Sequence, residues 1–318
     1  MKRILIRGPD TVGSFVLATP FFRELRKNLA DSYIVLCVKP LVYELAKDCP
    51  YVDKILLYDK SKLKNIINLK KEKFDTVFLL SGSFESAMVC LLAGIKERIG
   101  YPHDHRSILL TKKIVDEGNK HYVDYILNIL EQLNFKVNDK EPQLYLKYNS
   151  FSNQYDYIFN DKKPVVGITY SSIADDARKW PKEYVIELSK ELVRRGYKVV
   201  LLGKTKQEIE IPQEHKDTVF NLVNKTSLIE FINILRNLHT YISVSTGGIH
   251  IAAALKIRTI GLYIPGEEIG WSPYSKDSVV IYKQVKCAPC NQHKMKYCKN
   301  NVCMQAITPQ EVLNLVTP

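Results

Sequence analysis

The 318-residue chain has no apolar run near the roughly 18 residues that a membrane-spanning helix needs. Its best candidate, Met88 to Ile95, fits a buried helix instead. After Met1-Lys2-Arg3 only Ile4-Leu5-Ile6 precede Arg7, too short for a signal-peptide core, so a cytoplasmic protein is expected. Low-complexity tracts and short-period repeats are lacking. No RNA- or DNA-binding module is present, which argues against a nucleic-acid partner. Acidic residues are in deficit: 34 Asp and Glu stand against 46 Lys and Arg, a formal net charge of +12. The surplus points to an anionic partner such as anionic lipid or a phosphorylated substrate, and a plain lysine-rich surface accounts for it as well. With 46% hydrophobic and 25% charged residues, the composition excludes a disordered or fibrous chain.

The chain alternates short apolar runs with helical patterns. Strands are expected at Arg3–Arg7, Tyr33–Val38, Lys54–Tyr58 and Asp75–Leu80. Helices are expected over Phe15–Asn28, Leu41–Asp48, Ser61–Asn68, Phe84–Ala93 and Tyr122–Leu133. The polar stretch Asn134–Lys163 interrupts this rhythm and reads as a linker, dividing the chain into domains 1–150 and 151–318. Alternation then restarts with strands Val165–Tyr170, Lys198–Leu202, Thr218–Asn221, Thr240–Val244 and Thr259–Tyr263. Helices Glu183–Arg195, Ser227–Leu238 and Ile249–Leu255 lie between them. Such alternation implies an α/β protein with two doubly wound parallel sheets, which bind ligands beyond their strand carboxyl ends.

Three loops after strands stand out. Gly8-Pro9-Asp10-Thr11-Val12-Gly13-Ser14 leads into a helix but matches neither a P-loop nor a dinucleotide fingerprint. It also fits an ordinary strand-to-helix turn capped by Ser14. Tyr170 to Pro181 carries Arg178 and Lys179 beside a helix start, where a guanidinium can grip phosphate oxygens; a solvated charged loop over Trp180 is the plainer reading. Ser243-Val244-Ser245-Thr246-Gly247-Gly248-Ile249-His250 joins a strand to a helix of small residues. Gly247 and Gly248 would let a diphosphate approach backbone amides at the helix start, and His250 could donate to a phosphate or fill a polar niche.

In order and spacing these blocks resemble glycosyltransferase family 9, the ADP-heptose:lipopolysaccharide heptosyltransferases, most closely the branch adding the second heptose. Gly8-Pro9-x-x-Val12-Gly13 is similar to that branch's Gly-Pro-x-x-Val-Gly-Asp, and Gly82-Ser83-Phe84-Glu85-Ser86-Ala87 to its Asn-Ser-Phe-x-Ser-Ala. Ala93-Gly94-Ile95 with Arg98-Ile99-Gly100-Tyr101 fits the next block, and Arg178-Lys179-Trp180-Pro181 resembles basic-x-Trp-Pro. Ser245 to His250, followed by Ala252-Ala253-Ala254-Leu255, resembles the family's Thr/Ser-Gly-x-x-His-x-Ala-Ala-Ala-Leu pattern.

The resemblance implies a GT-B architecture of two facing Rossmann-like domains, with acceptor on the first and nucleotide sugar on the second. It implies inverting transfer of a heptose or related sugar from an ADP-type donor to a lipopolysaccharide core or similar anionic glycan. The work would be done at the inner face of the cytoplasmic membrane, with peripheral contact to its anionic surface. The donor would be bound by Arg178, Lys179, Thr246, Gly247, Gly248 and His250, with no catalytic metal required. Arg98 and Arg106, with Lys60, Lys62, Lys64, Lys112 and Lys113, would face acceptor phosphates and acidic sugars. One departure matters: Ser14 stands where the family has the Asp that is the usual general base. A neutral hydroxyl is not basic near pH 7, which leaves Asp10, in the same loop, as the expected substitute. The alternative is a catalytically degenerate protein that still binds sugar nucleotides or glycans.

Seven cysteines remain to be placed. Cys37, Cys49 and Cys90 sit among apolar neighbours and read as core. Cys287-x2-Cys290-x7-Cys298-x4-Cys303 has the spacing of a four-thiolate metal site or of two disulfides. A reducing compartment favours the metal, iron or zinc, in a closed structural role.

Overall fold

The computed structural model describes residues 1–146, 154–173, 177–206, 209–211 and 215–317. The chain divides into two compact units, Met1–Lys147 and Tyr148–Pro318. The expected boundary at 150/151 lies outside the described residues.

The first unit is built on strands β1 (Arg3–Arg7), β2 (Tyr33–Val38), β3 (Lys54–Leu57), β4 (Thr76–Leu79), β5 (Glu97–Gly100) and β6 (Lys112–Lys113). All pair in parallel, in the order β3-β2-β1-β4-β5-β6. The expected helix Phe15–Asn28 is two helices, α1 (Val12–Leu17) and α2 (Thr19–Asn28). Pro20 lacks the N–H that would continue α1 and instead starts α2. Phe21, Phe22 and Leu25 of α2 are buried, with Phe21 edge-on to Phe78 at 5.5 Å.

The remaining helices of this unit are α3 (Tyr43–Ala46), α4 (Lys62–Glu72), α5 (Phe84–Leu92) and α6 (Tyr122–Glu131). Ser61 caps α4, which runs one turn further than expected and stops at Lys73, in the left-handed region at φ 51°. Right-handed crossovers put α4, α5 and the 3-10 turn Arg106–Leu109 on one sheet face, over Leu69, Val77, Leu79 and Cys90. The other helices cover the opposite face.

The second unit repeats this plan with β7 (Val165–Thr169), β8 (Lys198–Leu201), β9 (Val219–Asn221), β10 (Thr240–Val244), β11 (Arg258–Tyr263) and β12 (Ser278–Tyr282). Its parallel order, β12-β11-β10-β7-β8-β9, is the same topology: the first strand lies beside the fourth. Around it lie α7 (Lys182–Arg194), α8 (Leu228–Arg236), α9 (Gly247–Ala254) and α10 (Glu268–Trp271). Ser227 and Glu230 form a reciprocal capping box that fixes the start of α8. The tail forms α11 (Gln292–Lys296), α12 (Val302–Gln305) and α13 (Pro309–Leu313). It adds Met295, Met304, Ile307 and Val312 to the core beneath α7. Trp180 is fully buried there, its Nε1 donating to the Ile307 carbonyl at 2.9 Å.

Strand order reverses between β1 and β4 in one unit and between β7 and β10 in the other. Each reversal leaves a crevice beyond the strand carboxyl ends, and all three unusual loops emerge at these crevices. The chain therefore has the GT-B composition of two Rossmann-like units.

Candidate functional site

In the first unit the crevice is organised by Arg7, the last residue of β1. Its side chain is buried, with the guanidinium carbon 4.2 Å from the centre of the Tyr58 ring. Nη1 donates to the Gly8 carbonyl at 2.6 Å and Nη2 to Asp10 Oδ1 at 2.5 Å. Lys39, just after β2, reaches Asp10 Oδ2 at 2.8 Å, and Ser81, after β4, donates to the same oxygen at 3.5 Å. Burial by itself would raise the Asp10 pKa. The charges of Arg7 and Lys39 outweigh it and hold the carboxyl below the usual aspartate range. Asp10 is thus a fixed carboxylate.

Ser14 lies in the first turn of α1. Its Oγ is 2.8 Å from Thr11 Oγ1, and it shares a hydrogen bond with the Tyr122 hydroxyl. Burial pushes the Tyr122 pKa up, and the nearby Asp10 charge adds to the rise. Asp10 and Ser14 therefore border one protonated phenol. The Gly82–Ala87 block is in part a helix start: Ser83 caps α5, accepting from the Ser86 N–H at 3.2 Å.

Two expected acceptor ligands are committed to the fold. Arg106 is buried, with Nε on the Tyr101 carbonyl at 2.7 Å and Nη1 on the Ser81 carbonyl. Arg98 spends Nε on the Leu109 carbonyl and Nη1 on those of Ile95 and Lys96. Both guanidiniums satisfy loop carbonyls that would otherwise lack donors, and Arg106 does so from a fully buried position.

In the second unit Thr246 is the N-cap residue of α9, and Ser245 to Gly248 are half-buried at its start. The first amides of α9 accordingly emerge at the crevice. Gly248 is needed for packing: a Cβ there would stand 2.8 Å from both the Phe231 ring and the Tyr241 hydroxyl. His250 is buried one turn into α9.

Arg178 forms a two-pronged ion pair with Glu267, Nε to Oε2 at 3.1 Å and Nη2 to Oε1. The side chains are only 18% and 10% exposed. The Arg178 guanidinium is therefore held by a carboxylate from the loop after β11. Tyr263 connects this pair to α9. Its hydroxyl donates to the Trp271 carbonyl at 2.6 Å and shares a hydrogen bond with Ser245. Burial pushes its pKa up, the Glu267 charge adds to the rise, and Arg178 opposes it.

Lys179 goes elsewhere. It lines a cavity of about 590 Å³ with Lys182, Tyr184, Cys298 and Lys299. Asn301 holds this turn by donating to the carbonyls of Lys179 at 2.6 Å and Ala177 at 3.2 Å. Ala174, Asp175 and Asp176 of the same loop lie outside the described residues.

Cys287, Cys290, Cys298 and Cys303 are all free thiols. Burial raises the Cys290 and Cys303 pKa values, the latter to about 11, and the other sulfurs add to both rises. The four thus share one neighbourhood. Among the described residues, no group of three or more His, Cys, Asp or Glu is drawn to metal-ligand spacing. Lys294 Nζ holds the first turn through the carbonyls of Cys287 and Pro289, at 3.3 and 2.9 Å. Gly266, at φ +105°, lets the Cys290 turn pack closely, since a Cβ there would meet the Cys290 carbonyl at 2.9 Å.

Arg7, Lys39, Tyr122 and Glu267 were not anticipated. Arg7 had a legible signal, a cation ending a buried strand; Glu267 had none, because its partner is 89 residues away.

The model of glycosyltransferase family 9 (heptosyltransferase) matches residues 63–300. The chain is 24% identical over 324 residues to lipooligosaccharide heptosyltransferase 2 of Campylobacter jejuni serotype O:2, covering 98% of this chain and 96% of the relative. The structure of E. coli ADP-heptose lps heptosyltransferase II superposes with a TM-score of 0.79 at 23% identity, over 99% of this chain and 97% of that one. The iron-containing dodecameric glycosyltransferase TibC of enterotoxigenic E. coli superposes at 0.61 and 16% identity, over 99% of this chain and 74% of that one.

Proposed function

The chain belongs to glycosyltransferase family 9, and from that premise we propose that it is an active inverting heptosyltransferase. It uses an ADP-type donor and a lipopolysaccharide core or similar anionic glycolipid acceptor at the inner face of the cytoplasmic membrane. The observation that carries this reading is Asp10, a carboxylate kept ionised by Arg7 and Lys39 in the loop where the family carries its base. An acceptor hydroxyl oxygen attacks C1 of the heptosyl group from the face opposite the diphosphate. The bond from C1 to the phosphate oxygen breaks, ADP leaves with its electron pair, and the hydroxyl proton passes to Asp10. Arg178 and the amides at the start of α9 take up the charge developing on the leaving diphosphate. Glu267 presets the Arg178 fork for that task.

Four thiolates supply the soft tetrahedral donor set that iron or zinc takes. Cys287, Cys290, Cys298 and Cys303 would hold one such ion, which would tie the tail to the second unit. The free thiols in one neighbourhood and the iron-containing relative support this reading.

ADP release and product analysis on ADP-heptose with a heptosylated lipid acceptor test the transferase reading. Asp10→Asn should lower turnover by on the order of 10²-fold or more with donor binding intact. Full turnover in Asp10→Asn removes Asp10 from the chemistry. A silent parent rescued by Ser14→Asp identifies a degenerate, binding-only chain.

A further inference from the structure

The face of the first unit covered by α4, α5 and the 3-10 turn is chemically unlike the opposite face. Leu63 and Ile67, one helical turn apart on α4, are 66% and 44% exposed. Leu91 and Leu92 end α5 exposed, and Ile108 on the 3-10 turn is 84% exposed. The three elements are neighbours in space, α4 against α5 and α5 against the turn. Arg98 ties the Leu109 carbonyl to those of Ile95 and Lys96, which fixes Ile108 beside the end of α5. By contrast, α1, α2, α3 and α6 on the opposite face leave no large apolar side chain exposed, and the exception there is Leu41, 62% exposed in the 3-10 turn Pro40–Val42 that leads into α3.

The charge on this face is one-sided. From Asp59 to Lys73 the chain carries six lysines against Asp59 and Glu72. Lys62 pairs with Glu85 at 3.1 Å and Lys64 sits 3.8 Å from Asp59. Lys60, Lys70, Lys71 and Lys96 are exposed, and none makes an ion pair within 4.0 Å among the described residues. Exposed leucine and isoleucine ringed by lysine is what an interfacial helix presents to lipid: apolar tips enter the acyl boundary while ammonium groups meet anionic headgroups. A protein partner would need acidic and apolar surface matched to this relief, whereas an anionic bilayer adapts to it.

We propose that the outer face of α4, α5 and the turn Arg106–Leu109 docks the protein on an anionic bilayer surface, with Leu63, Ile67, Leu91, Leu92 and Ile108 as the inserting side chains. This places the surface on which the reading of a lipid-borne acceptor depends.

Co-sedimentation of the full chain with vesicles tests it without donor or acceptor, so it stands or falls separately from transferase activity. The protein should bind phosphatidylglycerol/phosphatidylethanolamine vesicles, bind phosphatidylcholine vesicles weakly, and come off as salt rises. The combined Leu63→Ser, Leu92→Ser, Ile108→Ser variant should lose at least about tenfold in vesicle partition, since each change removes exposed apolar surface and none empties the core. The combined Lys70→Gln, Lys71→Gln, Lys96→Gln variant should lose on the order of 10²-fold, at about fivefold per lysine. Turnover on a delipidated, soluble acceptor should match the parent in both.

The proposal is overturned if the parent ignores anionic vesicles, if it binds both vesicle types equally, or if both variants bind as the parent does. It is also overturned if light scattering finds a parent dimer that the serine variant dissolves while vesicle binding persists. The face would then be covered by a second copy.

Discussion

Arg178→Ala removes one half of the two-pronged ion pair with Glu267 in the second unit. Its partner Glu267 is 10% exposed and would be left without the fork that pairs with it. Breaking a buried pair from one side costs on the order of 3 kcal/mol, mostly from the stranded carboxylate. The second unit, Tyr148–Pro318, has about 170 residues and an unfolding entropy near 0.36 kcal/mol/K, so its Tm should fall by about 8 °C. Replacing both partners with apolar groups, Arg178→Met with Glu267→Leu, should recover most of that loss, because no buried charge is left alone. ADP affinity should stay low in the double variant, since the guanidinium that meets phosphate is absent. Thermal unfolding and calorimetric titration with ADP separate the two roles. A Tm within about 1 °C of the parent in Arg178→Ala would refute the pairing. A double variant as unstable as the single one would show that Glu267 is not the source of the cost.

The depressed pKa of Asp10 fixes a pH signature. Its contribution to stability is present above the ordinary aspartate pKa near 3.9 and is lost as pH falls through its lower folded value, so parent and Asp10→Asn should converge in stability only in acid. Denaturant titrations at pH 7 and at about pH 3 check this; a gap unchanged in acid would contradict it. Trp180→Phe should cost about 2–3 kcal/mol, from lost volume and the orphaned Ile307 carbonyl, and denaturant unfolding would read it. Metal analysis of protein purified without chelator should give about one iron or zinc per chain and none in Cys290→Ser; a metal-free parent with four titratable thiols would refute the site.

The alternation of strands and helices, both sheets, and the three loops at the crevices were legible because period and punctuation are local properties. The strands β5, β6 and β12 were not anticipated: Glu97–Gly100 and Lys112–Lys113 are short and polar, and only pairing, of the first with β4 and of the second with β5 at the sheet edge, makes strands of them. Chain order likewise cannot say which side of a basic residue faces a ligand. Arg98, Arg106 and Arg178 looked alike as cations beside loops. Packing decided that the first two close on backbone carbonyls and the third on Glu267. Lys179, next to Arg178, turns to a different cavity because Asn301, far along the tail, holds its carbonyl. Asp10 could be named from the loop, but Arg7, Lys39 and Ser81 come from the ends of three different strands and meet it only once the sheet has formed. Residue types and spacing thus determined the family and the loops. The state of each side chain in those loops was set by partners distant in sequence, because a charge buried at a crevice takes whichever donor or acceptor the fold brings within reach.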